Sequence, residues 1–164
     1  MILMVMFAFG IQNVSAQDEQ IKINTGSPDL KIKVDRCVAS GNSVTIDLTL
    51  TNLSKKDVDA RIFQAMFAGG QPNHTEAIDN QGNKYVSNVY KDIISLKIGN
   101  QNKFVQDIYF TLLSDIPVKV SVRIDGVSEL SEAIARLNLL MYCEPLGIDH
   151  NHKVQIRNIP ITRD

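Results

Sequence analysis

"LKIKVDRCVASGNSVTIDLTLTN", residues 30–52, alternates apolar and polar side chains on both sides of a turn. Leu30, Ile32 and Val34 fall at every second position, and Val44, Ile46, Leu48 and Leu50 repeat the pattern after Ser40-Gly41-Asn42. A strand turns successive side chains to opposite faces, so a period of two marks a half-buried strand. Two such runs about a Gly-containing turn read as a β-hairpin. The phase slips between 34 and 37, where Cys37 rather than Arg36 takes the apolar position, and this predicts a bulge.

The same alternation continues outward. Val58, Ala60 and Ile62 mark a third strand beyond the polar connection Asn52-Leu53-Ser54-Lys55-Lys56. "AIDNQGNKYV" (77–86) reads as a hairpin whose turn chemistry lies at Asp79 to Asn83. Residues 93–98 with Phe104, Ile108, Phe110 and Leu112 predict a strand pair about Gly99-Asn100-Gln101-Asn102. Val118, Val120, Val122 and Ile124 form the most regular run, opened by Pro117 and closed by Asp125-Gly126. "AGGQPNHTE" (68–76) reads as irregular, because Gly69, Gly70 and Pro72 disfavour regular structure.

Residues 127–143 fit both periods: Val127, Leu130, Ile134, Leu137 and Met141 are spaced as on a helix, while Ala135, Leu137, Leu139, Met141 and Cys143 alternate. The surrounding strands favour a short helical turn over 128–133 followed by a strand, with "KVQIRNIPI" (153–161) as its antiparallel partner across a loop at 144–152. Seven to nine short strands in a chain of this size predict an all-β fold, a two-sheet antiparallel β-sandwich.

"MILMVMFAFGIQNVSA" (1–16) lacks charge, and its apolar run followed by Val14-Ser15-Ala16 is the pattern of a secretory signal peptide cleaved after Ala16. The missing basic residues ahead of it suggest a true start upstream of Met1. The run is too short to span a bilayer, and no Cys follows the cleavage point to carry a lipid. The expected organisation is a signal peptide (1–16), a lead-in arm or strand (17–29) and the sandwich (30–164). The mature chain is expected to be exported, to the periplasm or cell surface, without a membrane span.

"VTIDLTLTNLS", "AIDNQGNKY" and the closing "VQIRNIPI", together with the exported start, resemble secreted bacterial immunoglobulin-like or telokin-like domains of unknown function. The "AQ" at residues 16–17 looks like that of exported Bacteroidetes proteins. The resemblance covers roughly residues 30–161 and implies an immunoglobulin-like sandwich in an exported compartment. Its motifs are structural, so no catalytic residue carries over. The chain departs from antibody-type domains: it has no Trp, Cys37 precedes the strongest early strand, and Tyr142 sits one residue before Cys143 instead of two.

Charge and chemistry narrow the function. The 17 basic and 18 acidic side chains nearly cancel, and no basic run exceeds Lys55-Lys56, which argues against nucleic acid or anionic membrane as the main partner. In an oxidising compartment Cys37 and Cys143 are the one available disulfide pair; the alternative is two separate buried thiols. Asp149, His150 and His152 offer a carboxylate and two imidazoles, with Glu144 and His74 as further donors, a set that zinc or copper would accept. Against a metal, histidines at i and i+2 of an extended segment face opposite ways. "DNQGN" (79–83) echoes a calcium loop but lacks acidic residues at its third and fifth positions, so a tight turn explains it better.

No Ser lies in a nucleophile elbow and no glycine loop cradles phosphate. The sequence therefore points to a non-catalytic binding module without a cofactor, contacting a protein or glycan through loops at the sandwich ends. Asn73, His74, Asp149, His150 and His152 are the candidate binding residues, since loops on a rigid scaffold are where binding resides. A periplasmic metal-binding protein using His150, His152 and Glu144 is the second reading, and a hydrolase the third.

Overall fold

The computed structural model describes residues 20–68, 71–87, 91–149 and 152–163. The expected signal segment, Gly69, Gly70 and His150 lie outside the described residues. Fourteen strands are described. They are β1 (Lys22–Asn24), β2 (Leu30–Ser40), β3 (Ser43–Asn52), β4 (Val58–Phe63), β5 (Ala65–Ala68), β6 (Gln71–His74) and β7 (Glu76–Asp79), then β8 (Lys84–Val86), β9 (Ile94–Ile98), β10 (Asp107–Leu112), β11 (Val118–Asp125), β12 (Ala133–Tyr142), β13 (Lys153–Pro160) and β14 (Thr162–Arg163). One 3-10 turn, Glu144–Leu146, follows β12.

Two sheets pack face to face. The first runs β14-β2-β3-β11-β9, and the second runs β1-β13-β12-β4-β10 with β7 and β8 joined to β12. All pairings are antiparallel except the short β14 against β2. The order β2-β3-β11-β9 opposite β13-β12-β4 is the A-B-E-D and G-F-C arrangement of immunoglobulin-like sandwiches. Inward alternates of both sheets form one core, with Ile46, Leu48, Leu50, Val122 and Ile124 from the first meeting Ile62, Leu137, Leu139, Met141 and Ile156 from the second. Each is fully buried, and truncating any one to Ala would cost about 2–5 kcal/mol.

The bulge in β2 falls between Val34 and Arg36, with Cys37 buried beyond it and Arg36 exposed, as the phase slip predicts. The double periodicity of 127–143 has the same origin. Ile134 pairs with Ile159 and Arg136 with Arg157, so Ala135 and Asn158 drop out of the ladder together. Ile134 and Leu137, three apart, therefore both face the core, which imitates helical spacing inside a strand. Residues 128–133 hold no helical turn. Ser131 N–H donates to Ser128 O at 3.0 Å in a β-turn, and Ala133 already begins β12.

Two further expectations are corrected. The segments 93–98 and 104–112 form strands that do not pair with each other, because β9 adds to β11 in one sheet and β10 to β4 in the other. A single bridge, Leu96 to Val105, marks the crossing. The stretch 68–76 is largely regular: β5 and β6 form a hairpin with Phe67 opposite Pro72.

That hairpin is an excursion from a strand. β4 pairs with β12 up to Phe63 opposite Leu140, and β7 resumes on the same edge with Glu76 opposite Asn138. At the junction the Thr75 hydroxyl donates to Phe63 O and accepts from Leu140 N–H at 2.9 Å, taking the place of a ladder bond. Gln64 anchors the other side, its amide donating to Ser87 Oγ at 2.7 Å and to Ile94 O.

Cys37 and Cys143 are free thiols, both buried, so of the two alternatives the separate buried thiols hold and the disulfide does not form. The fold explains why. Val38 sits beside Thr162, and Ile161 N–H donates to Glu132 O, which puts Cys37 near the start of β12. Cys143 lies beyond its far end, and at ~3.3 Å per strand residue the separation is upwards of ~20 Å, whereas a disulfide needs Cα atoms within ~7 Å.

Candidate functional site

Because β2, β3, β4 and β10–β13 run antiparallel, the connections at 25–29, 53–57, 113–117 and 143–149 collect at one end of the sandwich. Asn52, at the last position of β3, is the hub. Its side chain is fully buried, and its amide donates to Lys56 O at 2.7 Å and Leu112 O at 3.1 Å while its Oδ1 accepts from Ser54 N–H at 2.9 Å. The Asn52 side chain thus serves the fold. Leu53 N–H donates to Asp29 O at 2.8 Å, and Asp115 N–H to Asn52 O at 2.9 Å. Ser114 completes the lock, its N–H on Asp57 Oδ1 at 2.9 Å and its hydroxyl on Ser54 O at 2.7 Å.

The locked loops hold apolar side chains in water. Leu53 is 47% exposed, Leu113 40% and Ile116 52%. Leu113 and Ile116 belong to one turn, in which Ile116 N–H donates to Leu113 O, and the backbone bonds just described tie that turn to Leu53's loop. Next to them, residues 54–58 and Pro145 enclose a depression of about 400 Å³. Single exposed apolar residues are ordinary, but three on two mutually bonded loops form a patch of the kind that marks interaction surfaces.

The loop at 143–152 contributes polar groups to this end. Glu144 accepts from Tyr142 Oη–H at 3.0 Å, and this bond raises the Tyr142 pKa. Asp149 Oδ1 lies 2.8 Å from His152 Nδ1, and the His152 ring lies against Gly26. Among the described residues no three His, Cys, Asp or Glu side chains come together as metal ligands would, so neither Glu144 nor His74 joins the Asp149–His152 pair.

Asn73 and His74 are placed elsewhere. Both are on β6, opposite Met66 and Ala65, in the hairpin that leaves the sheet where Phe63 and Thr75 meet Leu140. His74 Nδ1 is buried with no hydrogen-bond partner among the described residues. The turn at 79–83 lies at the opposite end and holds no cation-binding array. Asp79 there is almost fully buried and accepts from Gln81 N–H at 3.0 Å, Asn83 N–H at 2.8 Å, Asn83 Nδ2 at 2.9 Å, Tyr85 Oη–H at 2.8 Å and the Ser131 hydroxyl. Burial pushes its pKa up, but the bonds from Ser131, Asn83 and Tyr85 more than reverse this and bring it to about 2. Its task is to tie the β7–β8 turn to the β11–β12 connection.

Burial pushes the Cys37 thiol up to about 12 and raises that of Cys143, so both are protonated at neutral pH and poor nucleophiles. Among the described residues no helix is long and apolar enough to cross a membrane. Leu53, Leu113 and Ile116 were the residues that strand periodicity passed over. Their signal was weak, apolar residues set inside the turn-rich stretches "NLSKKD" and "LLSDIP". No protein-family model matches the sequence, and no curated protein matches it.

Proposed function

We propose that the protein is a non-catalytic exported binding module of the secreted immunoglobulin-like or telokin-like kind, holding a protein partner through the loops at 53–57, 113–117 and 143–149. The carrying observation is the patch of Leu53, Leu113 and Ile116, exposed in the isolated chain yet fixed by buried Asn52 and the Ser114 bonds. A preorganised apolar patch loses little entropy when a partner covers it, and the neighbouring Lys55, Lys56, Asp57, Asp149 and His152 supply a polar rim. Export is supported by the apolar leader at 1–16 and its Val14-Ser15-Ala16 ending.

Capture from native envelope extract tests this reading, with wild type and the L53S/L113S/I116S variant as baits. A discrete protein retained by wild type and lost with the variant supports it. Equal retention by both baits contradicts it.

A further inference from the structure

No basic run in the sequence exceeds Lys55-Lys56, yet the first sheet assembles a basic face from residues that alternate along separate strands. Its register places Lys33, Thr49 and Lys119 in one row across β2, β3 and β11. The next row is Arg36, Asp47, Ser121 and Lys97, and Arg123 lies in the row after it, with Lys31 at the other end. Six cations (Lys31, Lys33, Arg36, Lys97, Lys119 and Arg123) face solvent here against three carboxylates, Asp35, Asp47 and Asp125, although the whole chain has a net charge of −1.

The three carboxylates are already engaged. Asp35 pairs with Lys33 at 3.0 Å, Asp47 with Arg36, and Asp125 with Arg123 at 2.9 Å, while Lys31, Lys97 and Lys119 make no ion pair among the described residues. The β2 bulge opens a depression of about 450 Å³ on this face, with Lys97 and Lys119 on its wall beside the hydroxyls of Thr49 and Ser121.

We infer that this depression is a second binding site, separate from the loop end, and that its ligand is an acidic polysaccharide of the polyuronate class. Strand spacing sets neighbouring cations about 5–10 Å apart, a match for carboxylates on successive sugars. The Thr49 and Ser121 hydroxyls between the cations donate to Asp35 and Asp47, which leaves their lone pairs to accept from sugar hydroxyls. Single-stranded nucleic acid fits less well: Phe104, the aromatic ring at this face, is already covered by Lys97 at 5.2 Å and Arg123 at 6.0 Å, so no stacking platform is offered. A lipid surface would need exposed apolar side chains to insert, and the rows of this face present charges and hydroxyls.

Titration with polygalacturonate at low ionic strength tests the inference, with neutral dextran and duplex DNA as comparison probes. Wild type should bind polygalacturonate, more weakly as salt rises, and K31A/K97A/K119A should bind about tenfold or more weakly. K31R/K97R/K119R should retain binding, and so should L53S/L113S/I116S, which separates this site from the loop end. The inference is overturned by wild-type binding no tighter than to dextran, by equal affinity of the alanine variant, or by duplex DNA binding as tightly as polygalacturonate.

Discussion

Replacing Asp79 with Asn keeps the shape of the side chain and removes its charge at a position where many hydrogen bonds converge. Five donors converge on the carboxylate, and Ser131 and Tyr85 among them are themselves buried. An amide presents one acceptor oxygen and an NH2 group, so part of this donor set loses its acceptor. Mispaired buried donors cost about 1–3 kcal/mol. The carboxyl pKa falls from 3.8 in the open chain to about 2 in the fold, a difference worth about 2 kcal/mol at neutral pH. D79N should therefore be about 2–4 kcal/mol less stable than wild type in urea denaturation at pH 7. The pH dependence follows from the sign of the shift. A carboxylate with a depressed native pKa contributes its full share above the unfolded value near 3.8 and loses it as pH falls toward 2. The gap between the two proteins should narrow by about 1 kcal/mol at pH 3. A D79N variant within ~0.5 kcal/mol of wild type at pH 7, or a gap unchanged at pH 3, would refute the reasoning.

Asn52→Ala removes the amide that bonds Lys56 O and Leu112 O. It should cost about 2–3 kcal/mol in thermal or urea unfolding and weaken partner capture, because the loop end is no longer fixed. Thr75→Val, similar in shape but without the hydroxyl, leaves Phe63 O and Leu140 N–H unpaired beside the β5–β6 hairpin. It should cost about 1–3 kcal/mol, with hydrogen exchange accelerated first at Leu140. Without reductant, a thiol reagent should find two reactive cysteines per chain in denaturant and none in the folded protein over the same interval. None in denaturant would mean a Cys37–Cys143 disulfide after all.

The strands were legible wherever one face alone is buried. Residues 30–50 and 118–124 announce themselves because the inward positions are apolar and every outward one but Val38 is polar, and even the β2 bulge shows as a slip at Cys37. Partnership was less legible than existence. The runs at 93–98 and 104–112 look like a hairpin because alternation fixes which face is buried and carries no record of which sheet a strand joins. The hairpin at 65–74 was hidden by its glycines and proline, which mark a turn as readily as an irregular loop. The helix-like spacing at 134–141 came from paired irregularities in β12 and β13, a fact of two strands that neither shows alone. For the candidate site, histidines and carboxylates drew attention because their chemistry is conspicuous; among the described residues the structure brings Asp149 to His152 and assembles no three such side chains. Leu53, Leu113 and Ile116 become a patch only after Asn52 and Ser114 bring their loops together.

Hydrogen–deuterium exchange of the chain, free and bound to its captured partner, tests the placement of the binding surface most directly. Protection concentrated at residues 53–57, 113–117 and 143–149, with the outer faces of both sheets unchanged, is the predicted result. Protection centred on a sheet face, with these loops exchanging as in the free chain, would contradict it.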